Sequence, residues 1–188
     1  IDPRLVRWAS RSSVLRVKPL SQSRNQNLLG FGLKTISQSG CLLTAFTMIV
    51  NTLTGTDYNV DQMNGMLKNA KAYAGSGMIR EVACRRFGLV CHIEHATPGD
   101  VAAALEDGPV VLGIDYKKGS SSGFSGADHF IVIDRVEDDE FVGVDPAGGR
   151  EVRLDSHLRR SFKSGTSTIN WQAVELVSFS LTKESPDA

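Results

Sequence analysis

The chain changes its hydrophobic period at Gly108. Upstream, apolar residues recur mainly at helical spacing. Downstream, β-branched and aromatic runs follow one another, separated by Gly, Asp and Ser. Those runs are PVVLGIDY, HFIVIDRV, EFVGVDP, REVRL and AVELVSFSL, each long enough for a strand. Helices first and strands second do not supply the alternating units that a parallel sheet needs. The order predicts an α+β fold, with N-terminal helices packed on one side of a C-terminal antiparallel sheet.

The helical half has readable starts and stops. From Cys41 to Leu53, residues Leu42, Ala45, Phe46, Ile49, Val50 and Leu53 keep an i, i+3, i+4, i+7 pattern, and Gly55 supplies a C-cap. NVDQMNGMLKNA predicts a second helix, capped by Asn59 or Asp61. GSGMIREVACRRFG predicts a third, with Met78, Ile79, Val82 and Phe87 on its apolar face and Gly88 ending it. LVCHIEH alternates as a strand. TPGDVAAALEDG carries Thr97 as N-cap, Pro98 at the first helical position, Asp100 in the capping-box position and Gly108 as a stop. DSHLRR, around His157, reads as a solvated helix.

A length of 188 residues suits one domain, and 41% hydrophobic against 22% charged residues is an ordinary globular composition. We divide the chain into a basic lead-in over 1–20, a domain over 21–182 and a frayed tail over 183–188. The lead-in carries Arg4, Arg7, Arg11, Arg16 and Lys18; it reads as solvated chain, with a basic binding arm as the alternative. KKGSSSGFSG, residues 117–126, reads as a flexible loop. Lys and Arg number 21 and so do Asp and Glu, so no global field directs the protein to nucleic acid. No apolar run approaches the ~20 residues of a membrane span. The chain opens on Ile1 rather than Met, from which we expect a processed form or an excised fragment.

Three cysteines cannot all pair with one another, so at least one thiol is free or pairs outside the chain. Cys41 follows Gly40 at the start of the best helix. A helix N-terminus lowers a thiol's pKa, and so does an adjacent imidazolium. Of the four histidines, His129 is the best partner, because it opens an apolar strand and would stand at the sheet end. His92 and His95 flank a strand end and His157 lies in a basic segment. A general base needs a third group to orient it. Asp145 ends the next strand, sixteen residues after His129. Each of these residues has an ordinary reading in core or turn; the three in this order point to a nucleophile, a base and its orienting carboxylate.

The text LLGFGLKTISQSGCLLTAFTMIVNTLTG, GPVVLGI and DHFIVIDRVEDDEFVGVDPAGG resembles the C39-like group of papain-fold cysteine peptidases, over roughly residues 18–150. The resemblance implies a papain-like fold and a triad of Cys41, His129 and Asp145. It also implies a glutamine donor to the oxyanion. Gln22 is favoured; Gln38 is the alternative, although three residues before the cysteine is closer than the usual spacing. Leu42 stands where many relatives carry a small residue. The group includes cell-wall-degrading domains of phage lysins and bacterial hydrolases, as well as leader-peptide peptidases of peptide exporters. The expectation is therefore hydrolysis of peptide bonds, with peptidoglycan crosslinks as substrate, an extracellular or virion-associated setting, and no cofactor or metal.

Three other readings compete with this one. Cys84, Cys91, His92 and His95 crowd twelve residues, but their spacing matches no structural zinc motif, and Cys91 and His92 would face opposite sides of a strand. Acyl transfer or deamidation can use the same triad. A non-catalytic peptide-binding domain is the last, and alkylation of Cys41 separates it from the enzymes.

Overall fold

The computed structural model describes residues 15–118 and 126–183. Arg4, Arg7 and Arg11, most of the expected loop at 117–126 and the tail beyond Lys183 lie outside the described residues. The architecture is a mixture of helices and an antiparallel sheet. A short helix α1 (Ile36–Ser39) leads into α2 (Cys41–Thr54), then α3 (Val60–Asn69). A small hairpin, β1 (Tyr73–Ala74) and β2 (Gly77–Met78), precedes α4 (Arg80–Arg86), β3 (Leu89–His95) and α5 (Pro98–Ala104). Strands β4 (Val110–Lys118), β5 (His129–Glu137), β6 (Glu140–Asp145), β7 (Arg150–Leu154), β8 (Arg159–Ser164) and β9 (Ser167–Leu181) complete the chain.

The main sheet has seven strands in the order β3-β9-β4-β5-β6-β7, with β8 paired to β9. Its pairings are all antiparallel. β9 is long enough to hold two partners on one edge. Ser167–Gln172 pairs with β8, and Glu175–Leu181 pairs with β3. β5 and β6 are joined through Asp138 and Asp139, both at positive φ, as a two-residue type I′ turn requires.

The sheet is covered on both faces. On one face Ala45, Met48 and Ile49 of α2 pack on Val111, Val132, Val144 and Val177. On the other, Val101 and Leu105 meet Leu112, Ile114, Ile131, Ile133 and Trp171. This corrects the expectation that helices occupy one side. Alternate residues of β4 and β5 are both apolar, so both faces needed cover, and α5 supplies the second. Behind α2, Leu43, Phe46 and Val50 pack with Val60, Met63 and Leu67 of α3 and Ala83 and Cys84 of α4. Buried Thr44 and Thr47 satisfy their hydroxyls on the carbonyls of Gly40 and Leu43, four residues back.

Several expected elements differ. Met78 joins a hairpin rather than the third helix, because the turn at Gly75 (φ 62°) starts a strand pair. The segment around His157 is not a helix: Asp155 Oδ1 accepts the backbone N–H groups of His157 and Arg159, forming a turn into β8. The chain is anchored before residue 21. Val17 is buried, and its N–H donates to the Asp134 carboxylate at 2.9 Å. Among the described residues no helix is long and apolar enough to cross a membrane.

Candidate active site

Cys41 is the first residue of α2, with Gly40 as N-cap. The chain reaches it through α1, which Thr35 starts with a capping box completed by Gln38. Gly40 then turns the chain directly from one helix into the next. Its N–H closes α1 on the Ile36 carbonyl at 2.7 Å, and its own carbonyl accepts from Thr44 of α2. A Cβ at this position would lie 2.5 Å from the Ile36 oxygen, which no side chain tolerates. Gly40 is therefore glycine because two helix ends meet at it, and the meeting sets the cysteine at the positive end of a fourteen-residue helix.

His129 and Asp145 come from the β5–β6 hairpin. Val132 pairs with Val144, so both residues stand at the end away from the turn. Strand alternation puts His129 on the face of Ile131 and Ile133, which is the Trp171 face. His129 Nε2 lies 2.7 Å from Asp145 Oδ1. The same oxygen accepts the Ala147 N–H at 2.9 Å. The Asp145 carbonyl closes the DPAGG turn by accepting the Gly149 N–H at 2.8 Å. The turn that Pro146 and the glycines make is thus the device that aims the carboxylate.

The remaining ring nitrogen, Nδ1, is left for the sulfur. Cys41 and His129 each alter the other's proton affinity. Burial by itself would raise the thiol pKa. The His129 ring and the backbone N–H groups of Phe130 and Leu42 outweigh it, and the Cys41 pKa is lowered. Burial would likewise lower His129; Asp145 first and Cys41 second reverse this and raise it to about 9. Burial would raise the Asp145 carboxyl, yet the His129 bond, the Ala147 N–H and the Arg160 charge bring it below its ordinary value. A thiolate–imidazolium–carboxylate arrangement is the protonation state these shifts favour.

Trp171 of β9 covers the imidazole, with ring centroids 5.6 Å apart. Arg160 of β8 lies over that indole at 5.3 Å, and Phe162 meets it edge-on at 5.4 Å. Trp171 is 8% exposed, so it keeps water from one side of the His129–Asp145 bond. Sequence reading missed this residue. The period-two signal Ile169, Trp171, Ala173 was present, but the alternating polar residues Asn170 and Gln172 obscured the strand.

Cys41 and His129 line a cavity of about 440 Å³, and Gln22 and Gln38 line the same cavity. Gln22 is buried and joins the halves of the site. Its backbone N–H donates to Pro146 O at 2.9 Å, and its Nε2 donates to Ser37 O at 3.1 Å and to Ile36 O at 3.4 Å. Ser23 adds a bond from its hydroxyl to Ala147 O. Gln38 is exposed, and its Oε1 is taken by the Thr35 N–H at 2.9 Å.

No protein-family model matches this chain, and no curated protein matches it.

The remaining cysteines and histidines lie elsewhere. Cys84 is buried on α4, where burial and then the neighbouring Cys91 of β3 push its pKa far up. Cys84 and Cys91 are both free thiols. His92 and His95 are exposed on β3, and His157 on the turn before β8. Among the described residues no group of three or more His, Cys, Asp or Glu side chains is placed to hold a metal ion.

Proposed function

We propose that this protein is a papain-like cysteine peptidase that hydrolyses amide bonds through Cys41, His129 and Asp145. The observation that carries the reading is one alignment. A thiol with lowered pKa at a helix N-terminus faces an imidazole bound at 2.7 Å to a carboxylate, at the wall of one cavity. The C39-like wording of the sequence supports it, as does a helix bearing the cysteine packed on an antiparallel sheet bearing the histidine.

His129 takes the Cys41 proton and becomes imidazolium, held by Asp145 through Nε2. The thiolate adds to the substrate carbonyl carbon, and the carbonyl electrons move to oxygen. The Cys41 N–H is a donor to that oxyanion, because a first-turn N–H has no intrahelical acceptor. Gln22 Nε2 is the second donor once it exchanges its long 3.4 Å contact to Ile36 O. A donor of this kind contributes ~3–4 kcal/mol. As the C–N bond breaks, His129 Nδ1–H protonates the leaving amine. Water, deprotonated by the same nitrogen, then adds to the thioester, and the acid and the free thiol are released.

The substrate class that this reading names is the peptide crosslink of peptidoglycan, cut by a phage or bacterial lytic enzyme. Purified cross-linked muropeptides incubated with the chain test it by mass spectrometry. The expected result is a new amine and carboxyl terminus formed by wild type and not by Cys41→Ala. Intact muropeptides with wild type overturn the peptidoglycan substrate; equal cleavage by Cys41→Ala overturns the catalytic reading.

A further inference from the structure

The active-site cavity has one anionic wall. Among the described residues of its lining, Asp128 is the one carboxylate, and there is no lysine or arginine. Asp128 is exposed and immediately precedes His129, so it borders the space where a reacting carbonyl would sit. Its position is built rather than incidental. The Asp128 N–H donates to Ile114 O at 2.7 Å, and one carboxylate oxygen accepts the Tyr116 N–H at 3.3 Å. Gly113, on the strand below, makes room for the turn: a Cβ there would stand 2.8 Å from the Ala127 Cβ. Backbone contacts on both sides thus hold the carboxylate at the cavity mouth.

Beyond burial, the strongest influences on the His129 proton affinity are Asp145 and Cys41, not Asp128. Among the described residues Asp128 makes no ion pair with a lysine or arginine. A carboxylate facing a cavity, with no lysine or arginine partner among the described residues, is complementary to a cation brought by the ligand. Tyr116 lines the same cavity and is 44% exposed, and an aromatic face accepts the stem and the charge of a basic side chain.

Resting on the peptidase reading, we propose that Asp128 and Tyr116 form a specificity subsite for a basic side chain of the peptide substrate, of lysine, arginine or diamino-acid type, next to the scissile bond. The paired carboxylate and ring together are worth roughly tenfold over an uncharged side chain of equal length. The neutral net charge of the chain conceals the preference, since it is local to the cleft.

A degenerate peptide library, digested by the full chain and read by mass spectrometry, tests the subsite. Wild type is expected to show Lys and Arg enriched roughly tenfold over norleucine at one position within two residues of the cut. Asp128→Asn should bring that ratio close to one, and Asp128→Lys should turn it toward Asp and Glu. Thermal melting of both variants shows whether they fold; if Asp128→Lys does not, the Asp128→Asn ratio decides. Cleavage without charge preference, or a preference unchanged in the variants, overturns the subsite and leaves the peptidase reading standing. A library left uncut by wild type also overturns the subsite, and pH-dependent alkylation of Cys41 then shows whether the peptidase reading falls with it.

Discussion

His129 Nε2 stands 2.7 Å from Asp145 Oδ1, at the end of the β5–β6 hairpin opposite its turn. The two residues are sixteen apart in the chain, and the strand pairing between Val132 and Val144 closes that distance. The hairpin therefore delivers an oriented imidazole as a unit, and α2 needs only to bring the thiol to it.

Removing the charge but not the shape of that contact isolates its role. Asp145→Asn keeps a hydrogen-bond acceptor beside His129 and loses the carboxylate that holds the ring protonated. Activity on a peptide substrate should fall by on the order of 10²- to 10⁴-fold, with melting temperature little changed. The His129 ring resonance, followed by NMR, should titrate below the wild-type value of about 9. A variant as active as wild type would remove Asp145 from the mechanism.

The ion pair has a signature in the pH dependence of stability. His129, raised above its ordinary 6.5 to about 9, takes up a proton on folding; its stabilisation is complete below 6.5 and lost as pH climbs through 9. Cys41, lowered from its ordinary 9.0, releases a proton on folding; its stabilisation is complete above 9.0 and lost as pH falls through the lowered value. The two slopes oppose each other wherever the thiolate–imidazolium pair exists. Wild-type melting temperature should therefore be nearly flat above 6.5, from the lowered Cys41 value up to about 9. In Cys41→Ala only the histidine slope remains, and the melting temperature should fall across the same range. Equal flatness in both proteins would mean that His129 is neutral when folded.

Gly40→Ala tests the join between α1 and α2. The added methyl meets the Ile36 carbonyl at 2.5 Å and the Ile36 side chain at 2.6 Å, so the cysteine end of α2 must shift. Stability should fall by about 1–3 kcal/mol. Activity should fall further than stability explains, because Cys41 moves away from His129. Wild-type melting and activity together would contradict this reading of the glycine.

Trp171 acts on His129 by covering it. Trp171→Ala removes a buried ring and should cost about 3–5 kcal/mol. Trp171→Phe retains most of the packing and serves as the informative variant. It should fold and show an altered His129 titration by NMR, whereas a purely structural Trp171 would leave that titration unchanged.

Much of this arrangement was legible in the residues. The period of α2, its stop at Gly55, the Thr97 cap and the strands β4 to β7 follow from local pattern, since one or both faces of each are apolar and period and burial agree. The order Cys41, His129, Asp145 was legible because each lies at the end of such an element. The β8–β9 hairpin was half hidden. Arg159, Arg160, Ser161, Lys163 and Ser164 leave β8 with little apolar pattern, and it exists because it pairs with β9. Trp171 lies on the part of β9 that pairs with β8, and its cover over the imidazole went unread with that pairing. Gln22 was reached through the resemblance, as an oxyanion donor, and not as a strut between the Ile36–Ser37 carbonyls and the Asp145 turn; that role depends on two distant backbone segments meeting. The cover of the second sheet face by α5 is likewise a matter of tertiary placement, which helix propensity does not encode.

Cys41 as the nucleophile stands or falls on the pH profile of iodoacetamide labelling at each cysteine, read by mass spectrometry. Cys41 should label fastest, with a midpoint below the ordinary thiol value of 9.0, while buried Cys84 stays inert over the same range. His129→Ala should move the Cys41 midpoint upward. A Cys41 midpoint at or above 9.0, or one unmoved by His129→Ala, would contradict the ion pair and with it the proposed catalysis.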